Sequence, residues 1–379
     1  MRTMTNTSIQ TYMLKTFEHL HSNPEISWEE VKTTSFLKQE TEKLGCRVTT
    51  FPDSTGLIAE IGNGKPIVAI RADIDALWQE VNGAFQPNHS CGHDAHMTIV
   101  LGAIQILKER SAEWEGTIRF IFQPAEEKGT GALKMVELGA VDDVDFLFGV
   151  HLRPENEMGD GYAAPFLIHG AARFISASIS GEDMHGARPH LGANAIEAGA
   201  ALVHMLKNIY VNPLTPASIK MTKFISGGES SNIIPGNAEF SLDLRAQTNE
   251  AMDHLQNKLE KAFKAVESFY DVKISFSIPA TLPAAIKNDE AVSIMNNAII
   301  NSLSEERCLP PIITTGGDDF HFYTIKRPHL KATMLGLGCG LMPGLHHPDM
   351  TFRREAMVKG AEILTEAAIL ALGTGRVDS

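Results

Sequence analysis

"ARFISASISG", residues 172–181, alternates like a half-buried strand, and the rhythm of the whole chain changes there. Behind it, "NAIEAGAALVHMLKNIY" (194–210) has helical periodicity, and "SIKMTKFISGG" (218–228) and "AEFSLDLRAQ" (238–247) are strand-like. A long helix, "NEAMDHLQNKLEKAFKAVESFY" (249–270), and a strand, "DVKISFSI" (271–278), complete the set. The order βαββαβ is that of a ferredoxin-like unit. It runs to about residue 283, where "PATLPAAIKN" (279–288) reads as a connector.

Before residue 172 the pattern is different. "SWEEVKTTSFLKQETEKLG" (27–45) opens with Ser27 and Glu30 in capping-box spacing and stops at a glycine. Strand-like "GLIAEIG" (56–62) and "PIVAIRADID" (66–75) follow, then a helix after His93, "GTIRFIFQPAEE" (116–127), a short helix from Gly131, and "DFLFGVHL" (145–152). After the connector, helix "DEAVSIMNNAIINSL" (289–303), strand "ATMLGLG" (332–338) and helix "REAMVKGAEILTEAAILAL" (354–372) resume that style. Apolar strands alternating with amphipathic helices indicate a two-domain α/β protein. Its mostly parallel-sheet catalytic domain spans residues 1–171 and 284–379, with the ferredoxin-like domain, 172–283, inserted as a lid or dimerisation module.

At 379 residues, 43% hydrophobic and 21% charged, the chain has ordinary globular composition and room for two cores. Its net charge of −13, with Lys and Arg scattered, argues against nucleic acid as a partner. No apolar stretch approaches the roughly 20 residues of a membrane span, and "MRTMTNTSIQTYML" (1–14) lacks the apolar core of a signal peptide. Cys46, Cys91, Cys308 and Cys339 are too far apart for a CxxC site and fit a reducing compartment. A cytoplasmic location is expected.

In α/β sheets, ligands collect at the carboxyl ends of the strands. Asp73 and Asp75, the pair Glu126–Glu127, His151, and the "CGHD" segment (91–94) all fall at such ends, and "GLHHPD" (344–349) follows the glycine-rich exit of the last strand. Each piece alone has a bland reading, because polar residues gather in loops and Asp94 serves equally as a helix cap. Glu126 and Glu127, however, sit between a buried strand and a tight turn rather than on an open surface. Neighbouring glutamates there can face different sides of a cavity, one binding metal and the other relaying a proton. Metal-assisted hydrolysis needs that division, since a Lewis acid lowers the pKa of water while a carboxylate moves its proton.

The ordered series "RADIDAL", "CGHDAHM", "QPAEEKGTGA", "GVHLRP", "HGARPH", "GGESSNIIPGNAEFSLDLR", "GGDDF" and "GLHHPDMTF" resembles the M20 metallopeptidase family over residues of about 9 to 370. It is most similar to the aminoacylase and N-acyl-amino-acid amidohydrolase subgroup, which includes hippurate and auxin-conjugate hydrolases. The resemblance implies two divalent metal ions per chain, zinc suiting the sulfur donor, with Mn, Co or Ni as alternatives. Carried over motif by motif, it matches Cys91, His93, Glu127, His151 and His346 to the metal ligands and Glu126 to the general base. His347 falls in the next, variable place.

The same resemblance matches His185 to a histidine lent across a homodimer to stabilise the oxyanion. It matches Asn232 and Arg245 to substrate contacts, a guanidinium suiting a free amino-acid carboxylate. "GEDMHGA" (181–187) replaces a more glycine-rich approach to His185, and Asp318 stands where Glu is usual. Asp73 and Asp319 are expected to support the ligands from behind, whereas His96, one turn past His93, reads as helix packing in preference to a supporting role of that kind. The implied activity is metal-dependent amide hydrolysis of N-acyl amino acids or similar small amides. Alternatives are a dipeptidase or carboxypeptidase on the same scaffold, or an inactive relative that only binds a small molecule.

Overall fold

A computed structural model of the chain describes residues 6–374, so residues 1–5, read above for a leader, lie outside the described region. The chain divides into two compact units. The larger holds the residues up to Ile168, Ile286–Ile313, and those from Asp319 onward; the smaller holds His169–Ala285 and Thr314–Asp318.

The larger unit is built on a seven-stranded sheet in the order Arg47–Phe51, Ser54–Asn63, Gly116–Gln123, Ile67–Asp73, Phe146–Pro154, Lys331–Leu341, Ala163–Ala164. The four strands from Gly116–Gln123 to Lys331–Leu341 are mutually parallel. The margins are antiparallel: the Arg47 and Ser54 strands form a hairpin on one side and Ala163–Ala164 pairs on the other. Every residue of Ile67–Asp73 and Phe146–Pro154 is buried, as expected for strands covered on both faces. Those strands therefore read as mostly apolar runs rather than as alternation, with Arg71, Asp73, His151 and Arg153 buried among them. Helices His93–Glu109, Asp289–Ser302, Ala356–Thr374 and Asn6–His21 pack together, the last joining through Ile9, Met13, Phe17 and Leu20.

The smaller unit has a four-stranded antiparallel sheet in the order Ala217–Ser226, Ala238–Ala246, Ala171–Ser180, Lys273–Leu282. Helices Ala195–Leu206 and Asn249–Tyr270 supply the rest of its core. The longer helix buries Ala251, Met252, Leu255, Leu259, Ala262, Phe263 and Val266, a stripe of period 3.6, and its first turn is capped by Thr248, which accepts from the Ala251 N–H. Thr314–Asp318 returns to this unit, where Gly170 N–H donates to Gly316 O at 3.2 Å.

Two local expectations are corrected. The strand Lys273–Leu282 includes "PATL", which pairs with Ala172, Arg173 and Phe174 instead of serving as a connector. Ser27 and Glu30 form no capping box: the helix runs Val31–Lys43 with no side-chain cap. The Ser27 hydroxyl instead donates to the buried Asp75 carboxylate at 2.6 Å, and the Glu30 carboxylate accepts from Thr55 Oγ1 at 2.6 Å and Ala125 N–H at 2.9 Å. These buried partners outcompete a solvent-facing helix end.

Candidate metal centre

At the carboxyl ends of the parallel strands, Cys91, His93, Glu126, Glu127, His151 and His346 come together within the larger unit. Gly92 is in the left-handed region (φ +90°), and a Cβ there would stand 3.1 Å from Leu152 Cδ1. Glycine thus lets the chain turn between Cys91 and His93, so that both side chains face the same space. His346 is also left-handed (φ +64°), and its N–H donates to Ser90 O at 2.7 Å, tying its loop to the Cys91 segment.

The donors fall into two trios that share the thiol. Cys91, His93 and His151 form one and Cys91, Glu127 and His346 the other, each with ligand atoms within 4.8 Å of one another. Cys91 Sγ lies 3.7 Å from His151 Nε2 and 3.3 Å from His346 Nε2, and His346 Nε2 lies 3.6 Å from Glu127 Oε1. His93 Nε2 is 3.9 Å from both Glu126 Oε2 and Glu127 Oε1. His93 Nε2 and Glu127 Oε1 are buried without a hydrogen-bond partner. Buried polar atoms left open cost free energy unless something fills the space between them. A soft thiol shared by two sets of imidazole and carboxylate donors fits a pair of divalent ions.

The imidazoles are oriented from behind. The His93 Nδ1 proton points at Asp75 O (2.9 Å) and Oδ1 (3.2 Å), which leaves Nε2 for the site. The His151 Nδ1 proton goes to Leu152 O at 2.8 Å, again freeing Nε2. Asp75 Oδ2 accepts from Glu127 N–H at 3.0 Å as well as from Ser27. Asp75, named in the sequence only as a strand-end carboxylate, is therefore the partner of His93 Nδ1.

Asp73 is fully buried and lies 3.7 Å from His93 Nε2 and 2.7 Å from His96 Nδ1. His96 is not simple helix packing. Its Nδ1 faces Asp73 and its Nε2 accepts from Leu152 N–H at 3.1 Å, so both nitrogens are engaged. Asp94 does not occupy the cap position, which belongs to Gly92; its carboxylate holds His21 Nδ1 at 2.6 Å and accepts from Ala95 N–H at 2.8 Å. Asp319 sits under the site, accepting from Arg71 Nη2 (3.0 Å), Gln123 Nε2 (2.8 Å) and Ala132 N–H (2.9 Å), while its own N–H reaches Glu126 Oε1 at 3.4 Å.

Burial dominates the electrostatics of this centre. It pushes the Cys91 thiol well above its ordinary range, with Glu127 adding to the rise, and it lifts Glu127 to about 7 against the pull of His93. Burial, His96 and Arg153 hold His151 well below the usual imidazole value. For His93 burial acts downward, but Asp73, Cys91 and Asp75 outweigh it and hold the ring well above the usual value. A divalent ion compensates the same negative charge that these protons otherwise neutralise.

His185, Asn232 and Arg245 lie in the smaller unit, whereas His347 belongs to the larger one. His185 is exposed on a short ribbon with Ile233, its Nδ1 accepting from Ala187 N–H at 3.0 Å. Gly186 N–H donates to Asn232 O at 2.7 Å, which sets Asn232 beside the His185 turn. The Arg245 guanidinium lies over the Phe174 ring at 5.0 Å and pairs with Asp243 in the same strand (2.7 and 3.2 Å). His347 is exposed, with its Nδ1 accepting from Asp349 N–H.

Comparison with known proteins agrees with this geometry. The model of the peptidase family M20/M25/M40 matches residues 69–369. The chain is 32% identical to N-acetyl-L-cysteine deacetylase of Bacillus subtilis (strain 168), over 92% of its own length and 86% of that protein's. It is 29% identical to IAA-amino acid hydrolase ILR1-like 5 of Arabidopsis thaliana, over 94% and 86%. The crystal structure of the Bacillus subtilis YXEP protein, a dinuclear metal binding peptidase from the M20 family, superposes with a TM-score of 0.83 at 27% identity, covering 97% of this chain and 100% of that one.

Proposed function

The chain belongs to the peptidase family M20/M25/M40 and is a metal-dependent hydrolase of amides, and from that premise we propose that it cleaves N-acyl amino acids with Glu126 as its general base. The observation that carries the reading is the pair of trios joined at Cys91, with Glu126 set beside Glu127 and opposite His93. Cys91, His93, Glu127, His151 and His346 would hold two divalent ions, and the soft sulfur favours zinc over manganese, cobalt or nickel. Such ions supply Lewis acidity, which lowers the pKa of a water and polarises the amide carbonyl.

Glu126 then does the proton work. Its carboxylate takes a proton from the water as the water oxygen joins the carbonyl carbon, and returns it to the amide nitrogen as the C–N bond breaks. The acyl group leaves as a carboxylic acid and the amino acid as a free amine. Asp319 N–H, near Glu126 Oε1, orients the carboxylate so that its other oxygen faces the reacting centre. An N-acyl amino acid suits the deacetylase and amino acid hydrolase activities named for two relatives. A screen of N-acetyl, N-benzoyl, N-succinyl and dipeptide substrates tests the assignment, and turnover of dipeptides alone would shift it to a dipeptidase.

Four free cysteines support work in a reducing compartment such as the cytoplasm. The net charge of −13 supports a small-molecule partner rather than nucleic acid. A homodimer through the smaller unit is supported by its strand Ala217–Ser226, which stands at the margin of the four-stranded sheet and carries the exposed Ile225. In that dimer His185 of one chain serves its partner's centre and stabilises the oxyanion, while Asn232 and Arg245 contact the substrate. A His185→Ala chain mixed with a Glu126→Gln chain is expected to regain activity that neither has alone, because one site of the mixed dimer holds both intact groups. A verified mixed dimer that stays inactive would remove the exchange.

A further inference from the structure

We infer that Glu30 is a positioning residue for the reaction: through Ala125 it sets the turn that presents Glu126 and Glu127. This rests on the role proposed above for Glu126. Glu30 is fully buried and lies far from the centre in sequence, and its carboxylate accepts from Ala125 and Thr55. Its Oε1 accepts from Ala125 N–H at 2.9 Å and its Oε2 from Thr55 Oγ1 at 2.6 Å.

Ala125 is the residue immediately before Glu126, and it is buried in the left-handed region at φ +49°. A residue with a Cβ occupies that region only when its surroundings hold it there. Its peptide groups are gripped on both sides. Ala125 O accepts from Gly131 N–H at 3.1 Å, in a turn so close that a Cβ on Gly131 would fall 1.5 Å from Pro124 O. Ala125 N–H has the Glu30 carboxylate. Ser27, three residues earlier, donates to the same Asp75 oxygen that accepts from Glu127 N–H. The segment is itself fixed, since Ala76 N–H donates to Glu25 O at 2.8 Å and Ile26 bridges to Ala76. One short N-terminal stretch therefore holds both ends of the Glu126–Glu127 turn.

The role is geometric, because both groups on Glu30 donate to it and either carboxylate or amide oxygen can accept. Glu30→Gln keeps the reach, with the amide oxygen on Ala125 N–H and the amide nitrogen donating to the Thr55 hydroxyl oxygen. Glu30→Asp keeps the charge but withdraws the oxygen by one methylene.

The test compares Glu30→Gln, Glu30→Asp, Glu30→Ala and Glu126→Gln for kcat, KM, bound metal per chain and unfolding midpoint. Glu30→Asp is expected to lower kcat by about 10–100-fold in folded, metal-loaded protein, with KM within about threefold. Glu30→Gln is expected to stay within about threefold of wild type in both constants, an order that follows reach rather than charge. If Glu30→Ala does not fold, the Asp and Gln pair still decides. Wild-type kcat in Glu30→Asp, or Glu30→Gln as impaired as Glu30→Asp, would overturn the inference. A Glu126→Gln variant that keeps full activity would instead remove the functional reading on which it rests.

Discussion

Glu126→Gln is expected to lower kcat by ~10²–10⁴-fold while leaving metal content and fold unchanged. The amide keeps the size of the carboxylate and can still accept from Asp319 N–H, so the surroundings of Glu126 should persist. What disappears is the ability to take a proton from water and return it to the leaving nitrogen. Glu127→Gln should behave differently. Its Oε1 is a buried atom without a hydrogen-bond partner beside His93 and His346, so an amide there should lower bound metal as well as turnover. Measuring ions per chain alongside kcat separates the two glutamates. Normal metal in Glu127→Gln together with retained turnover in Glu126→Gln would mean that the roles are exchanged or absent.

Arg71→Met is expected to cost about 3–5 kcal/mol of stability, because it leaves buried carboxylates uncompensated. Arg71 has no exposed surface, and its guanidinium reaches Asp73 Oδ2 (2.5 Å), Asp319 Oδ1 (3.0 Å) and Gln123 Oε1 (2.8 Å). Burial alone would raise the Asp73 pKa, yet His93, Arg71 and His96 together hold it well below the usual carboxylate range. Such a group contributes stability above its unfolded pKa and loses it as pH falls through the lower folded value. The deficit in Arg71→Met should therefore be full at neutral pH and shrink in acid. Thermal unfolding should show a midpoint lowered by on the order of 10 °C at neutral pH. Arg71→Lys should recover only part of this, since one ammonium cannot span three separate acceptors. A midpoint within about 1 °C of wild type would show that the buried network adds little.

The sequence revealed those parts of the site that lie at strand ends and in short motifs. Cys91 and His93 are two residues apart across a glycine, and Glu126–Glu127 follow an apolar strand, so local pattern was enough to single them out. The ferredoxin-like order was legible because its two central strands, Ala171–Ser180 and Ala238–Ala246, alternate and its long helix keeps a period of 3.6. What escaped were contacts between segments far apart in the chain. Ser27 and Glu30 have the spacing of a capping box, and nothing local says that Asp75 and Ala125 will be nearer and better partners. Asp75 and Asp73 are separated by one residue, so pattern alone did not assign the His93 Nδ1 partner to Asp75. His96 looked like part of an apolar helix face, because the Asp73 carboxylate and the Leu152 N–H that engage it come from two different strands. The antiparallel margins of the large sheet were hidden for a related reason: strand direction is set by connections, not by composition.

Metal stoichiometry measured together with turnover on the same protein tests the dinuclear assignment most directly. Elemental analysis is expected to find two divalent ions per chain, as the two trios sharing Cys91 and the dinuclear relative suggest. A chelator should remove those ions and the hydrolysis of N-acyl amino acids together, and zinc, manganese or cobalt should restore both. Full turnover by protein carrying no divalent ion would contradict the account at its centre.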